Sequence, residues 1–194
     1  MFSYSDLNSR HLALQQGVGL SFFILKFHIA VYRTFALEPI IEIMSESKHV
    51  VKLHRVIKAS PEKLYRAYTD PLAIASWIPP YGFLCQVHEM DVRVGGNYKM
   101  SFVNFTTGNG HSFGGKYLDL KENELIRQTD IFDDPNLPGQ MITTVHLKQV
   151  TCGTEISIVQ EGIPEMIPLE MCYLGWQESL EKLTKLVEPN IPDA

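Results

Sequence analysis

Residues 166–188 read MIPLEMCYLGWQESLEKLTKLVE. Leu169, Tyr173, Trp176, Leu180, Leu183 and Val187 recur in this segment at steps of three and four, which places them on one face of an α-helix. Glu178, Glu181, Lys182 and Lys185 take much of the remainder. Pro164 and Pro168 introduce the segment and Pro189 stops it, so the spacing predicts a helix over 166–188. An amphipathic helix must bury its stripe, and a run of strands ahead of it offers a sheet to bury it on.

Those strands are legible upstream. From Phe83 the apolar period is two, predicting strands over 83–91, 96–105, 111–121, 124–132, 140–150 and 154–161. Turn chemistry separates them at Gly95-Gly96, Gly108-Asn109-Gly110, Glu122-Asn123, Asp133-Asp134-Pro135-Asn136 and Cys152-Gly153. Links this short join antiparallel neighbours, because parallel pairing needs a long crossover. Ahead of them, His49 to Lys58 (HVVKLHRVIK) is a further strand. Ser60, Pro61 and Glu62 then open a helix carrying Leu64, Ala67 and Tyr68, which ends at Asp70-Pro71. A second short helix covers Leu72 to Trp77 and stops at Pro79-Pro80. Strand, two helices, six strands and a long helix form the skeleton of an α+β helix-grip fold.

Composition narrows the function. The chain has 194 residues, 45% hydrophobic and 20% charged, in the ordinary range of a soluble globular domain. Its net charge of −5 argues against nucleic acid, which requires clustered Lys and Arg. Cys85, Cys152 and Cys172 are odd in number and form no C-x-x-C pair, which fits buried thiols in a reducing compartment and hence the cytoplasm. The seven histidines show no H-x-x-x-H or H-E-x-x-H spacing, and His88-Glu89, as neighbours on a strand, are expected to face opposite ways. No metal or cofactor is therefore expected. There is no G-x-S-x-G, and the glycine pairs neither precede G-K-[ST] nor open a helix, so their role is to permit positive φ at turns. Asp133-Asp134 reads as a solvated loop.

Residues 1–43 follow another design. The apolar run Gly17 to Val31 (GVGLSFFILKFHIAV) is interrupted by Lys26 and His28 and is shorter than the ~20 residues of a membrane span. Only Arg10 precedes it and no A-x-A follows, so a secretory signal is the weaker alternative. Met44-Ser-Glu-Ser-Lys is start-like. The expectation is that the native chain begins near Met44, with 1–43 outside a domain of 44–194; a natural 1–43 would be a peripheral helix or arm.

The segment Ala59-Ser60-Pro61-Glu62-Lys63-Leu64-Tyr65-Arg66-Ala67-Tyr68-Thr69-Asp70-Pro71, followed by Trp77, resembles the ASPEKVWEALTDPE…W opening of homologues of the activator of the heat-shock protein 90 ATPase, within the START-like (SRPBCC, Bet v 1-like) superfamily. Asp91-Val92-Arg93-Val94-Gly95-Gly96-Asn97-Tyr98 is similar to that family's DLRPGGRYR, Gly115-Lys116-Tyr117-Leu118-Asp119 to its GxYLE, and Cys152-Gly153-Thr154-Glu155 to its GGTRL. The likeness covers roughly 48–188. One Trp stands where many relatives have a pair. The resemblance implies a sheet wrapped around the last helix with an apolar cavity between them, and a link to the stress response.

Within that frame the candidate cavity residues are aromatic or sulfur-bearing. Tyr98, Met100 and Phe102 share a strand face with Asn104. Tyr173 and Trp176 on the helix are placed to meet them, with Tyr117 on the next strand and Trp77 and Tyr81 near the entrance. The alternative is that these side chains simply fill a core. His111, Gln128, Asp130, His146 and Gln160, with Tyr117, are the polar candidates, and strand parity sends some of them outward. The leading reading is a protein that binds a small apolar molecule, acting as monomer or homodimer, non-enzymatic or weakly catalytic. A module that binds a heat-shock protein 90 homologue is the second reading, and a cyclase or hydrolase with a cavity acid–base pair the third.

Overall fold

The computed structural model describes residues 49–192; the segment 1–43 and the start expected at Met44 lie outside the described residues. Strand β1 (Val51–Ile57) leads into helices α1 (Pro61–Thr69) and α2 (Pro71–Trp77). Strands β2 (Phe83–Met90), β3 (Asn97–Asn104), β4 (Gly110–Lys121), β5 (Leu125–Phe132), β6 (Met141–Val150) and β7 (Gly153–Glu161) follow, then helix α3 (Leu169–Val187). The sheet runs β1-β7-β6-β5-β4-β3-β2, every pair is antiparallel, and it curls as a half-barrel. This is the helix-grip α+β fold. The two short helices carry the chain from one sheet edge to the other, and six strands return by hairpins until β7 pairs with β1.

Local chemistry sets the element ends. Ser60 caps α1 by accepting from the Lys63 N–H at 3.4 Å. Asp70 ends α1 and caps α2, accepting from the Leu72 and Ala73 N–H groups at 2.8 and 2.9 Å. Pro71 holds Asp70 extended, so one residue serves both helices. The long helix starts at Leu169 rather than 166, because Pro168 occupies its N-cap and the Ile167 N–H closes a turn onto the Pro164 carbonyl. Gly95 takes φ +81 in its turn, as the glycine pairs predict.

Curvature comes from irregularities in the strands. A Cβ on Gly115 would lie 1.8 Å from the Thr129 carbonyl oxygen, so only glycine lets β4 approach β5 there. The Lys116 N–H at that point donates to Thr129 Oγ1 at 2.9 Å. On β2 the register slips between Val87 and Glu89, a bulge that breaks strict alternation. His88 and Glu89 are consequently both exposed instead of facing opposite sides, and His88 Nε2 lies 2.9 Å from Ser101 Oγ.

The stripe of α3 is buried in two unequal parts. Its C-terminal half puts Leu180, Leu183 and Val187 into a core with Leu64, Ala67, Trp77, Ile126, Val145, Leu147, Ile156 and Ile158. Its N-terminal half packs Leu169, Cys172 and Tyr173 against Val51, Met141 and Ile163. Trp176 touches both clusters. The Tyr173 hydroxyl accepts the Lys52 N–H at 3.2 Å, so the helix also covers part of edge strand β1.

Candidate functional site

Between α3 and the sheet lies a cavity of about 880 Å³. Its floor is built from inward-facing positions of successive strands. Tyr98, Met100 and Phe102 come from β3, Phe113 from β4, Gln128, Asp130 and Phe132 from β5, and Met141, Thr143 and Val145 from β6. Phe102, Phe113 and Phe132 stack edge-on across three strands, with centroids 4.8 and 6.4 Å apart. The roof is α3, which presents Cys172, Gly175, Trp176 and Ser179. Three of these four are small, and a Cβ added to Gly175 would meet nothing within 4 Å. The exposed lining residues Gly110, His111, Asp133 and Pro135 gather at the β3–β4 and β5–β6 connections, which marks the mouth. Tyr68 and Ile74, both buried, line it from α1 and α2.

One polar row crosses this apolar floor. Tyr117 pairs with Gln128, Gln128 with Thr143, and Thr143 with Gln160 across β4 to β7. Strand register alone therefore brings residues distant in sequence side by side. The Trp176 indole N–H donates to Gln160 Oε1 at 3.0 Å, Gln160 Nε2 to Thr143 Oγ1 at 3.2 Å, and the Thr143 hydroxyl to Asp130 Oδ2 at 2.6 Å. Gln128 Nε2 donates to Asp130 Oδ1 at 3.1 Å. The Tyr98 hydroxyl contacts the same carboxyl oxygen and also the Thr129 carbonyl, at 2.7 Å. The donors of Trp176, Gln160, Thr143 and Gln128 lead towards Asp130.

Asp130 has no Lys or Arg partner among the described residues. Burial raises its carboxyl above the usual carboxylate range, against the opposing pull of Thr143, Tyr98 and Gln128. Proton counting agrees with that direction. A phenol carries one proton, so Tyr98 cannot donate to both the Thr129 carbonyl and Asp130. A protonated Asp130 donates to Tyr98 and leaves Tyr98 its own proton for Thr129. Burial likewise holds the phenols of Tyr98 and Tyr117 well above their ordinary value. The Cys85 thiol, half-buried outside the cavity, is pushed up to about 11 by burial.

Of the aromatic and sulfur-bearing candidates, Tyr98, Met100, Phe102 and Trp176 lie on the cavity wall. The other four are placed elsewhere. Trp77 is fully buried, donating to the Ala67 carbonyl at 2.8 Å. Tyr81 is 48% exposed beside α3, where its N–H donates to Glu178. Tyr117 packs in the core at 5.6 Å from the Tyr98 ring, and Tyr173 turns to the β1 edge. Among the polar candidates, His111, Gln128, Asp130 and Gln160 line the cavity, and His146 is exposed. Sequence reasoning missed Tyr68, Thr143, Gly175 and Ser179. The small residues Cys172, Gly175 and Ser179, three and four apart beside the apolar stripe, were the available signal. Among the described residues no group of three or more His, Cys, Asp or Glu could hold a metal, and no helix is long and apolar enough to cross a membrane.

Residues 58–188 match the family described as Activator of Hsp90 ATPase homolog 1-like protein. A Chromobacterium violaceum protein of known crystal structure is 59% identical, matching 73% of this chain and 98% of its own, with a TM-score of 0.72. A Rhodobacter sphaeroides protein at 19% identity covers 71% of this chain and 90% of its own, with a TM-score of 0.62. An AHSA1-like protein from Aeromonas hydrophila, also 19% identical, covers 72% and 92% with a TM-score of 0.58. These last two share the fold. No curated protein matches the chain.

Proposed function

The chain belongs to the Activator of Hsp90 ATPase homolog 1-like family, and from that premise we propose that it binds a small, mainly apolar molecule between α3 and the sheet. The observation that carries this reading is the cavity of about 880 Å³, walled by Met100, Phe102, Phe113, Phe132, Met141 and Val145. Its volume falls in the ~300–1,000 Å³ range of small-molecule sites. A close-packed interior leaves few voids larger than a water molecule, so a space this large is not what packing alone produces. The polar row ending at Asp130 supplies the few oriented groups that fix a ligand's pose.

A molecule that binds only the folded state raises the melting temperature, by ~2.7 kcal/mol of added stability at a hundredfold excess over Kd. The test is a thermal-shift screen of neutral apolar compounds, joined to mass spectrometry of solvent extracts of the purified protein. At least one compound is expected to shift the transition or to copurify. No shift across the set and an empty extract would sink the reading.

A second reading, docking to a heat-shock protein 90 homologue, draws on the family description. It predicts that the purified protein changes the ATPase rate of such a chaperone. An unchanged rate together with no binding removes it.

A further inference from the structure

The polar row on the cavity floor has one arm that no described residue fills. Trp176, Gln160 and Thr143 each give a proton to the next acceptor, the last being Asp130, so these groups satisfy one another. Gln128 differs. Its Nε2 lies 3.2 Å from the Tyr98 hydroxyl oxygen and 3.1 Å from Asp130 Oδ1, which engages both of its N–H groups. Its amide oxygen, Oε1, has no hydrogen-bond partner among the described residues. This oxygen is not sealed in, because the buried side-chain atoms left without a partner are His49 Nδ1 and the Tyr68 hydroxyl. Gln128 Oε1 therefore keeps open surface, and the space that Gln128 borders is the cavity.

What Gln128 touches fixes the direction of its amide. Tyr98 spends its one proton on the Thr129 carbonyl, so its oxygen needs a donor from Gln128. Turning the amide over would set two acceptor oxygens against each other there. Register holds the side chain in place between Tyr117 and Thr143 on the inward row. Around it the wall is mostly apolar, with Met100, Phe102, Phe113 and Phe132. A molecule that fills this space strips water from Gln128 Oε1. A purely apolar one leaves the oxygen desolvated and unpaired, at a cost in free energy, whereas a hydroxyl or N–H restores the lost hydrogen bond.

We infer that Gln128 Oε1 is a specificity-determining acceptor for the bound molecule, and that the cavity selects mainly apolar ligands carrying a hydroxyl or N–H group over ligands of similar size that carry none. This inference rests on the ligand-binding reading and narrows it to one chemical class.

Three probes on one ring skeleton test it: 2-hydroxyfluorene, 2-methoxyfluorene and fluorene. In the wild type, the hydroxy compound is expected to bind about tenfold more tightly than the methoxy compound, the size of one buried hydrogen bond. The methoxy compound keeps the oxygen but has no proton to give. Gln128→Met, which keeps the length of the side chain and removes its oxygen, should bring the two to the same affinity. In the wild type, the carbon-13 resonance of the Gln128 side-chain carbonyl should move further with 2-hydroxyfluorene than with 2-methoxyfluorene. That resonance decides the matter if Gln128→Met does not fold. Equal wild-type affinity for the hydroxy and methoxy compounds overturns the inference and leaves the binding reading standing. So does a preference that survives in Gln128→Met, or a carbonyl resonance that responds alike to both. If none of the three binds, the inference fails, and the broad apolar screen decides the binding reading by itself.

Discussion

At the scale of single residues, Asp130 is where chemistry and stability meet. Its carboxyl is buried, accepts from Thr143 and Gln128, and is raised chiefly by desolvation. A raised folded-state value gives stability that is complete below the ordinary carboxyl value of 3.8 and is lost as pH rises towards the folded value. The unfolded chain releases that proton first, so unfolding becomes easier. Asp130→Asn keeps the shape and removes the titration. The variant is expected to gain stability relative to wild type as pH rises from about 4 to 8, measured as denaturant midpoints across that range. A difference that stays flat with pH would show that Asp130 titrates normally. Asp130 was readable in the sequence as a polar candidate but its burial was not, because alternation puts a residue on a face without saying which face is covered. Tyr68 shows the same limit more sharply. Its helical spacing with Leu64 marks it as core, and nothing in the sequence records that its hydroxyl has no partner among the described residues.

At the scale of elements, α3 does two jobs with its two halves. Leu183 has no exposure and sits in the dry core, whereas Gly175 faces open space on the cavity side. Leu183→Ala is expected to cost about 2–5 kcal/mol, transfer loss plus a new void. Gly175→Ala should instead stabilise the ligand-free protein by about 0.5–1 kcal/mol, through the lower backbone entropy of alanine in a helix interior. Both values come from denaturant titration of the two variants. A destabilising Gly175→Ala would mean that the roof is packed rather than open. The periodicity of the segment was sufficient to place this helix and its stripe. The helix begins three residues later than its spacing predicts, because Pro168 and the Pro164 turn are compatible with a helix start at several positions and tertiary packing chose Leu169. The β2 bulge at His88 was invisible for a related reason, since one extra residue leaves the local apolar pattern nearly intact while shifting every partner beyond it.

At the scale of the molecule, the first and last strands in sequence pair with each other. β1 and β7 pair over Val51–Ile57 and Thr154–Gln160, and Glu188 after the last helix accepts the Lys58 N–H at 3.1 Å. Residues 49–192 thus contain both partners of every ladder in the sheet. A chain opening at Met44 is expected to unfold at the same denaturant midpoint as the full chain, in one transition. A lower midpoint would show that residues 1–43 contribute to the domain. By itself the sequence determined the order of elements, their antiparallel pairing and the helix that covers them. These follow from local periodicity, turn residues and short links, which act between neighbours along the chain. Only the tertiary structure decided that Trp77, Tyr81, Tyr117 and Tyr173 lie off the cavity wall while Tyr68, Thr143 and Gly175 lie on it. Register, bulges and the seating of α3 set those positions, and each depends on contacts between residues far apart in sequence, where a shift of one residue reverses which side chains face inward.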